Sequence, residues 1–347
     1  MKEEYFIILI HILFRNVLRC PSGPGSFNFV EVFMEEKSFK TLDELVELLK
    51  NRGIDIEDSD YAKRVLKKHG YYSLINGYNK LFLDKTSSEV KYLSGTTIQE
   101  INALYQFDGV LRNIFFRYIL KVEIEIKSLI SLYFSEVHGH KNYLIYTNFN
   151  TSLKDSEGKI TSLISDVQRQ LSNKSSDPSI LHYLKVHGYI PLWVLNNILT
   201  LGTISKFYSL MLPKERQNVS RNYKMMDNEL ENALFYISTI RNFCAHGNRL
   251  YCFRNKSPLS STNFHKKLNI EQNKDGEYLK GKRDLFACVI ALKRLLSNND
   301  FSKMSKEIFR AIGNLNKKLT ILKIEDVLNE MGFPENWREI NSMKKEL

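Results

Sequence analysis

An all-α fold is what the sequence predicts, and three observations carry the prediction. Only 16 Gly and 7 Pro interrupt 347 residues, too few turn-formers for a many-stranded sandwich. Apolar residues recur at three, four and seven positions over most of the chain, the spacing of one face of a helix. The single alternating stretch, "KVEIEIK" at 121–127, lies inside a much longer helical pattern whose length outweighs it.

The elements follow in order. "YFIILIHILF" (5–14) is apolar but far shorter than the roughly 20 residues a bilayer requires. Glu3 and Glu4 precede it, unlike the basic start of a secretory signal. The turn-rich "CPSGPGS" (20–26) then sets residues 1–33 apart as an appendage to the working domain. An N-terminal helical region (34–96) comes next, where "TLDELVELLKNRG" stops at Gly53 and "DSDYAKRVLKKHG" runs from Asp/Ser caps to Gly70. The core (97–256) opens with the longest element, about Ile98 to Glu136, with an apolar stripe of Leu111, Phe115, Val122, Ile126, Leu129 and Tyr133. Loops are expected at 138–158 and 172–188. "PLWVLNNILTLGTISKFYSL" should open a helix near Pro191 and break at Gly202. A helix is expected from about Asp227 to His246, then a polar loop at 254–281. Two or three helices complete the C-terminal region (257–347).

Charge and cysteines bound the function classes. The formal charge of +11 draws the chain toward polyanions, but no single basic arm carries it. Cys20, Cys244, Cys252 and Cys288 form neither a Cys-x-x-Cys pair nor a zinc-type cluster. They read as reduced thiols of a cytoplasmic protein without a membrane span.

The densest chemistry lies in "IRNFCAHGNRL", residues 240–250. Stepping about 100° per residue puts Asn242, His246 and Arg249 within roughly 60° of one another, opposite Ile237, Ile240 and Cys244. Arg241 sits at the margin, where its long side chain reaches the same face. Histidine moves protons near neutral pH. Arginine offers a permanent cationic fork for a phosphate or a developing phosphorane, and asparagine can orient either the imidazole or the substrate. No metal or cofactor ligand set is visible, so phosphodiester cleavage would need a nucleophile already on the substrate. RNA carries one in its 2′-hydroxyl. A surface helix capped by its histidine would use the same residues, and Arg64 and His69 repeat the spacing at an ordinary basic helix end. Glu125-Ile-Lys127 resembles half of a metal-nuclease motif but has no partner acid at suggestive spacing. Glu123 and Glu125 therefore read as solvated or structural, His138 and His140 as polar surface, and Tyr71, Tyr72 and Tyr78 as core or as base-stacking rings.

The motif resembles the signature of the Abi family, AbiD/AbiF-like abortive-infection proteins, within the wider HEPN superfamily. Arg241, Asn242 and His246 carry the likeness. Further matching segments are "RGIDIEDSDYAKRVLKKHGYYSLINGY", "LRNIFFRYILKVEIEIKSLI", "PLWVLNNILTLGTISKFYSL" and "MGFPENW". Together they span about residues 38–340. Family members often carry a second histidine where this chain has Gly247.

The resemblance implies a HEPN-like helical core and a toxin-like endoribonuclease of phage defence. Arg241 and His246 would be catalytic, Asn242 would orient His246, and Arg249 would bind substrate. It also implies a homodimer, whose two motifs form one cleft, and is compatible with a structured non-coding RNA as partner. The alternative is a non-catalytic protein that grips RNA through the same basic cleft.

Overall fold

The computed structural model describes residues 38–345; the appendage expected at 1–33, with Cys20, lies outside them. Residues Thr41–Leu347 form one compact unit. The described residues are helical, as the sequence predicts, and their only β pairing is in isolated bridges such as Asp55 with Thr97.

Side-chain caps set the helix ends. Helix α1 (Leu42–Asn51) starts at a reciprocal cap in which Glu44 N donates to Thr41 Oγ1 and Thr41 N donates to Glu44 Oε2. Helix α2 (Ser59–His69) starts where Asp58 accepts from Tyr61 N at 2.8 Å and stops at Gly70, φ +77°. After a π-helical turn at Tyr72–Asn76, α3 runs Ile98–His138 without a break. At 1.5 Å per residue it is roughly 60 Å long. "KVEIEIK" is part of it, and Leu111, Phe115, Val122 and Ile126 are buried as expected.

Helices α4 (Ser156–Asn173) and α5 (Pro178–His187) follow, then the short α6 (Leu192–Leu195), α7 (Leu201–Leu210) and α8 (Pro213–Arg221). Helix α5 occupies the stretch read as a loop at 172–188. Asp177 caps it, accepting from Ser179 N at 2.9 Å, and Pro178 takes the first helical position. The break read at Gly202 lies instead between α6 and α7, because Thr200 caps α7 and Gly202 sits in its first turn. The buried Asn196 holds that break, its amide donating to Lys127 O and Ser131 Oγ of α3.

Helix α9 spans Asp227–Ala245, and α10 (Asn263–Lys267) sits within the expected polar loop. Helices α11 (Leu285–Leu295), α12 (Asn298–Asn316) and α13 (Ile324–Glu330) finish the fold. The long α3 is the axle, with α9 and α12 packed along it and α7, α8 and α11 closing around α9. Polar contacts tie α12 to α3 through Arg117 with Glu307 and Lys121 with Asp300. The buried Glu100 of α3 accepts from the backbone amides of Thr320, Ile321 and Leu322 and from the Thr320 hydroxyl. No helix of the described residues is long and apolar enough to cross a membrane.

Asp284 caps α11, accepting from Ala287 N at 3.1 Å, and packs so closely on Gly332 that a Cβ there would lie 2.0 Å from Asp284 Cγ. Gly276 has nearly the same φ, +76° against +77°, with open space around it. Urea unfolding should therefore separate two alanine variants. Gly276→Ala should cost about 1–2 kcal/mol, the left-handed penalty alone. Gly332→Ala should cost on the order of 4 kcal/mol or more through the added clash. Equal losses would show that the close approach is not rigid.

Candidate active site

Helix α9 buries Leu230, Leu234, Tyr236, Ile237 and Ile240, which fixes its rotation against α3, α7 and α11. Its C-terminus is fixed as firmly. His246 is the C-cap, and Gly247 takes φ +69°. Gly247 N then donates to Cys244 O at 3.3 Å and Asn248 N to Phe243 O at 3.0 Å, pairing two carbonyls the helix would leave open. Glycine takes this backbone freely, so Gly247 suits the turn that presents His246.

Beyond the turn the chain is latched to α3 by Asp108, which is fully buried. Its carboxylate accepts from Leu250 N at 3.1 Å, Tyr251 N at 2.7 Å, the Tyr78 hydroxyl at 2.7 Å and Arg112 Nη1 at 2.5 Å. Arg112 Nη1 also donates to Asn248 O at 3.3 Å, so one ion pair holds both sides of the turn. Tyr78 and Tyr251 stack beneath it with ring centroids 5.3 Å apart. Burial pushes the Asp108 carboxyl above its ordinary range, and Arg112, Tyr78 and the two amides oppose that shift. Burial likewise pushes the Cys244 thiol up to about 12, which keeps it protonated and unreactive.

The predicted site residues divide into free and tied groups. His246 and Asn242 are exposed, and neither side chain makes a hydrogen bond among the described residues. Asn242 and His246 are joined only through the backbone, His246 N to Asn242 O at 3.0 Å, so the Asn242 amide does not orient the imidazole here. Arg241 is held loosely. Its guanidinium lies over the Phe116 ring at 5.6 Å, and its Nε faces Glu123 Oε2 at 3.7 Å, beyond hydrogen-bonding distance. Both atoms are buried without a hydrogen-bond partner. Glu123 Oε1 accepts from Lys127 Nζ at 2.7 Å, so this carboxylate is buried and paired, not solvated.

Arg249 does not share the helical face assigned to it by periodicity. The helix ends at Ala245 and the chain reverses at Gly247, so helical stepping has no meaning at residue 249. Its Nη1 donates to Asn76 O at 3.3 Å and Gly77 O at 3.2 Å, pinning the turn to the π-helical segment. Asp108, Arg112 and Phe116 are the site residues that sequence reasoning missed. The one available signal was an acid at 108 inside the buried stripe, between Leu104 and Leu111, with an arginine four residues on.

Apart from Tyr78, the remaining candidates lie away from this turn. The His69 ring packs at a tilt against Tyr105, centroids 4.5 Å apart, and Arg64 lies 3.8 Å from Asp58. His138 is not surface, for its Nε2 lies 2.5 Å from the buried Glu215 Oε1. The three tyrosines separate: Tyr78 is core, Tyr71 Oη accepts from Arg52, and Tyr72 is exposed. Among the described residues no group of three or more His, Cys, Asp or Glu could hold a metal ion.

The family profile described as Abi-like protein matches residues 64–252. That span begins in α2, includes all of α3 and α9, and ends just past the Asp108 latch; "MGFPENW" lies beyond it. No curated protein and no solved structure matches the chain.

Asp108→Asn tests the latch. An amide has one acceptor oxygen where the carboxylate has two, and it removes the charge facing Arg112. Urea unfolding should show a loss of about 2–4 kcal/mol, with faster hydrogen exchange at the Leu250 and Tyr251 amides. Unchanged stability with both amides still protected would remove the latch from the account.

Proposed function

The chain belongs to the Abi-like protein family, and on that premise we propose that it is a metal-independent endoribonuclease of abortive infection, with a HEPN-type site completed by a second copy of the chain. The observation that carries this reading is a contrast within eleven residues. The backbone and apolar groups of 240–250 are anchored at every turn, yet among the described residues the exposed Asn242 and His246 side chains make no hydrogen bond, and neither does Arg241. A structural cap would spend these donors on the fold; a binding cleft keeps them free for a ligand.

The proposed chemistry uses them as follows. His246 takes the proton of a ribose 2′-hydroxyl, and the oxygen attacks the adjacent phosphorus. The bond to the 5′-oxygen breaks, and that oxygen is protonated by an imidazolium, leaving a 2′,3′-cyclic phosphate and a 5′-hydroxyl. The Arg241 fork stabilises the negative charge of the phosphorane. Glu123 faces the Nε edge at 3.7 Å, and no hydrogen bond among the described residues takes up the terminal amines. Asn242, not engaged with His246, contacts substrate. Arg249, anchored through Nη1, offers its remaining N–H groups to a neighbouring phosphate. One chain supplies one Arg–His pair, and a homodimer supplies the second.

Purified wild type, His246→Ala and Arg241→Lys, incubated with total RNA in EDTA, test the proposal. Wild type should cut and leave cyclic-phosphate ends. His246→Ala should lose at least about 100-fold in rate, and Arg241→Lys about 100-fold or more because an ammonium cannot reproduce the fork. Circular dichroism should be unchanged in both. Cleavage by His246→Ala at the wild-type rate would overturn the assignment. RNA bound by all three proteins but left intact would make this a binding module.

A further inference from the structure

We propose that a row of rings around the end of α3 is a binding site for unpaired RNA, separate from Arg241 and His246. The row runs from Trp193 to His140 (5.6 Å), from His140 to Tyr189 (5.2 Å), from Tyr189 to His187 (6.3 Å) and on to Tyr183 (5.2 Å), with His182 5.6 Å from Tyr183. It gathers three of the eight histidines and one of the two tryptophans of the chain. None of these rings is among the residues placed around Arg241, although Trp193 and His140 border the same long helix α3.

The row is built, not incidental. Two hydrogen bonds strap the segment bearing Tyr189 and Trp193 to the segment bearing His140: Leu192 N donates to His140 O at 2.8 Å, and the Tyr143 hydroxyl donates to Ile190 O at 2.9 Å. The paired His138 and Glu215 hold the same end of α3 against α8. Yet the row is not closed over: Trp193 is 50% exposed, His182 and His187 are on the surface, and His140, Tyr183 and Tyr189 are half-buried. These imidazoles do not gather into a metal site.

Cations lie near the rings. Lys141 Nζ lies 5.4 Å from the Tyr189 ring centre, and Lys185 is exposed on α5 between His182 and His187. Exposed π-faces with cations beside them are what takes up a single strand, bases stacking on rings and phosphates meeting the charges. A cavity of about 460 Å³ opens beside Trp193 and His140. It is lined by Ser135, whose hydroxyl is buried without a hydrogen-bond partner, and by Glu136, which makes no hydrogen bond among the described residues. Those groups suit the polar edge of a base stacked on Trp193. A duplex, with its bases already stacked and paired, cannot offer either contact.

Trp337 is buried, so in full-length Trp337→Phe protein the fluorescence reports Trp193 alone. The probe is a short 2′-O-methylated oligoadenylate, which cannot be cut by 2′-hydroxyl attack, alone or paired with its complement. The single strand should quench Trp193 emission and the duplex should not. His140→Ala and Tyr189→Ala should each weaken binding about tenfold, while Arg241→Lys should leave the quench intact. The site therefore stands or falls apart from the nuclease assignment. Failure of the single strand to bind, binding without quenching, equal quenching by the duplex, or wild-type affinity in both alanine variants would each overturn it.

Discussion

A single buried carboxylate holds the candidate site together. Asp108, on the central helix, receives donors from Tyr78, Arg112, Leu250 and Tyr251. It thereby joins the aromatic segment after α2, the axle α3 and the turn after α9. A carboxylate out of water is costly unless its lone pairs are filled and its charge is balanced. Here both conditions are met, so moving any one segment would strand the charge. Glu100 repeats the device one end further along α3, where it gathers the amides of residues 320–322.

Rigidity below and freedom above is the arrangement that a cleft for a charged ligand requires. The glycine turn and the Asp108 latch fix where His246 stands, without engaging its imidazole. Arg241 is restrained by charge and by the Phe116 ring, neither of which consumes its terminal amines. Glu123 shares its charge between Lys127 and Arg241, which keeps it from claiming the arginine outright. Arg249 shows the opposite choice, spending part of its fork on backbone carbonyls to steady the turn.

Much of the fold was legible because helix ends are written locally. Thr41, Asp58, Gly70 and Gly139 sit at ends that capping and left-handed glycine explain. The same logic at Asp177 and Pro178 would have revealed α5, which the polar residues around it disguised as loop. Helical stepping failed at Arg249 for a related reason, since a periodicity holds only while the helix lasts. The motif residues were visible as a cluster, but what supports them was not. Asp108 meets its amide partners 142 and 143 residues later, and Glu100 meets Thr320 220 residues later. No local pattern encodes such a pairing; it declares itself only as an acid misplaced within an apolar stripe.

The central claim is that the substrate's own 2′-hydroxyl is the nucleophile. The most direct measurement is cleavage in EDTA of an RNA that the protein cuts, compared with the same strand carrying one 2′-O-methyl group at the cut position. The account predicts that this one methyl group abolishes cleavage there while leaving other cut sites and binding unchanged. Cleavage of the methylated position at the unmodified rate would contradict it, because the attacking oxygen would then have to come from elsewhere.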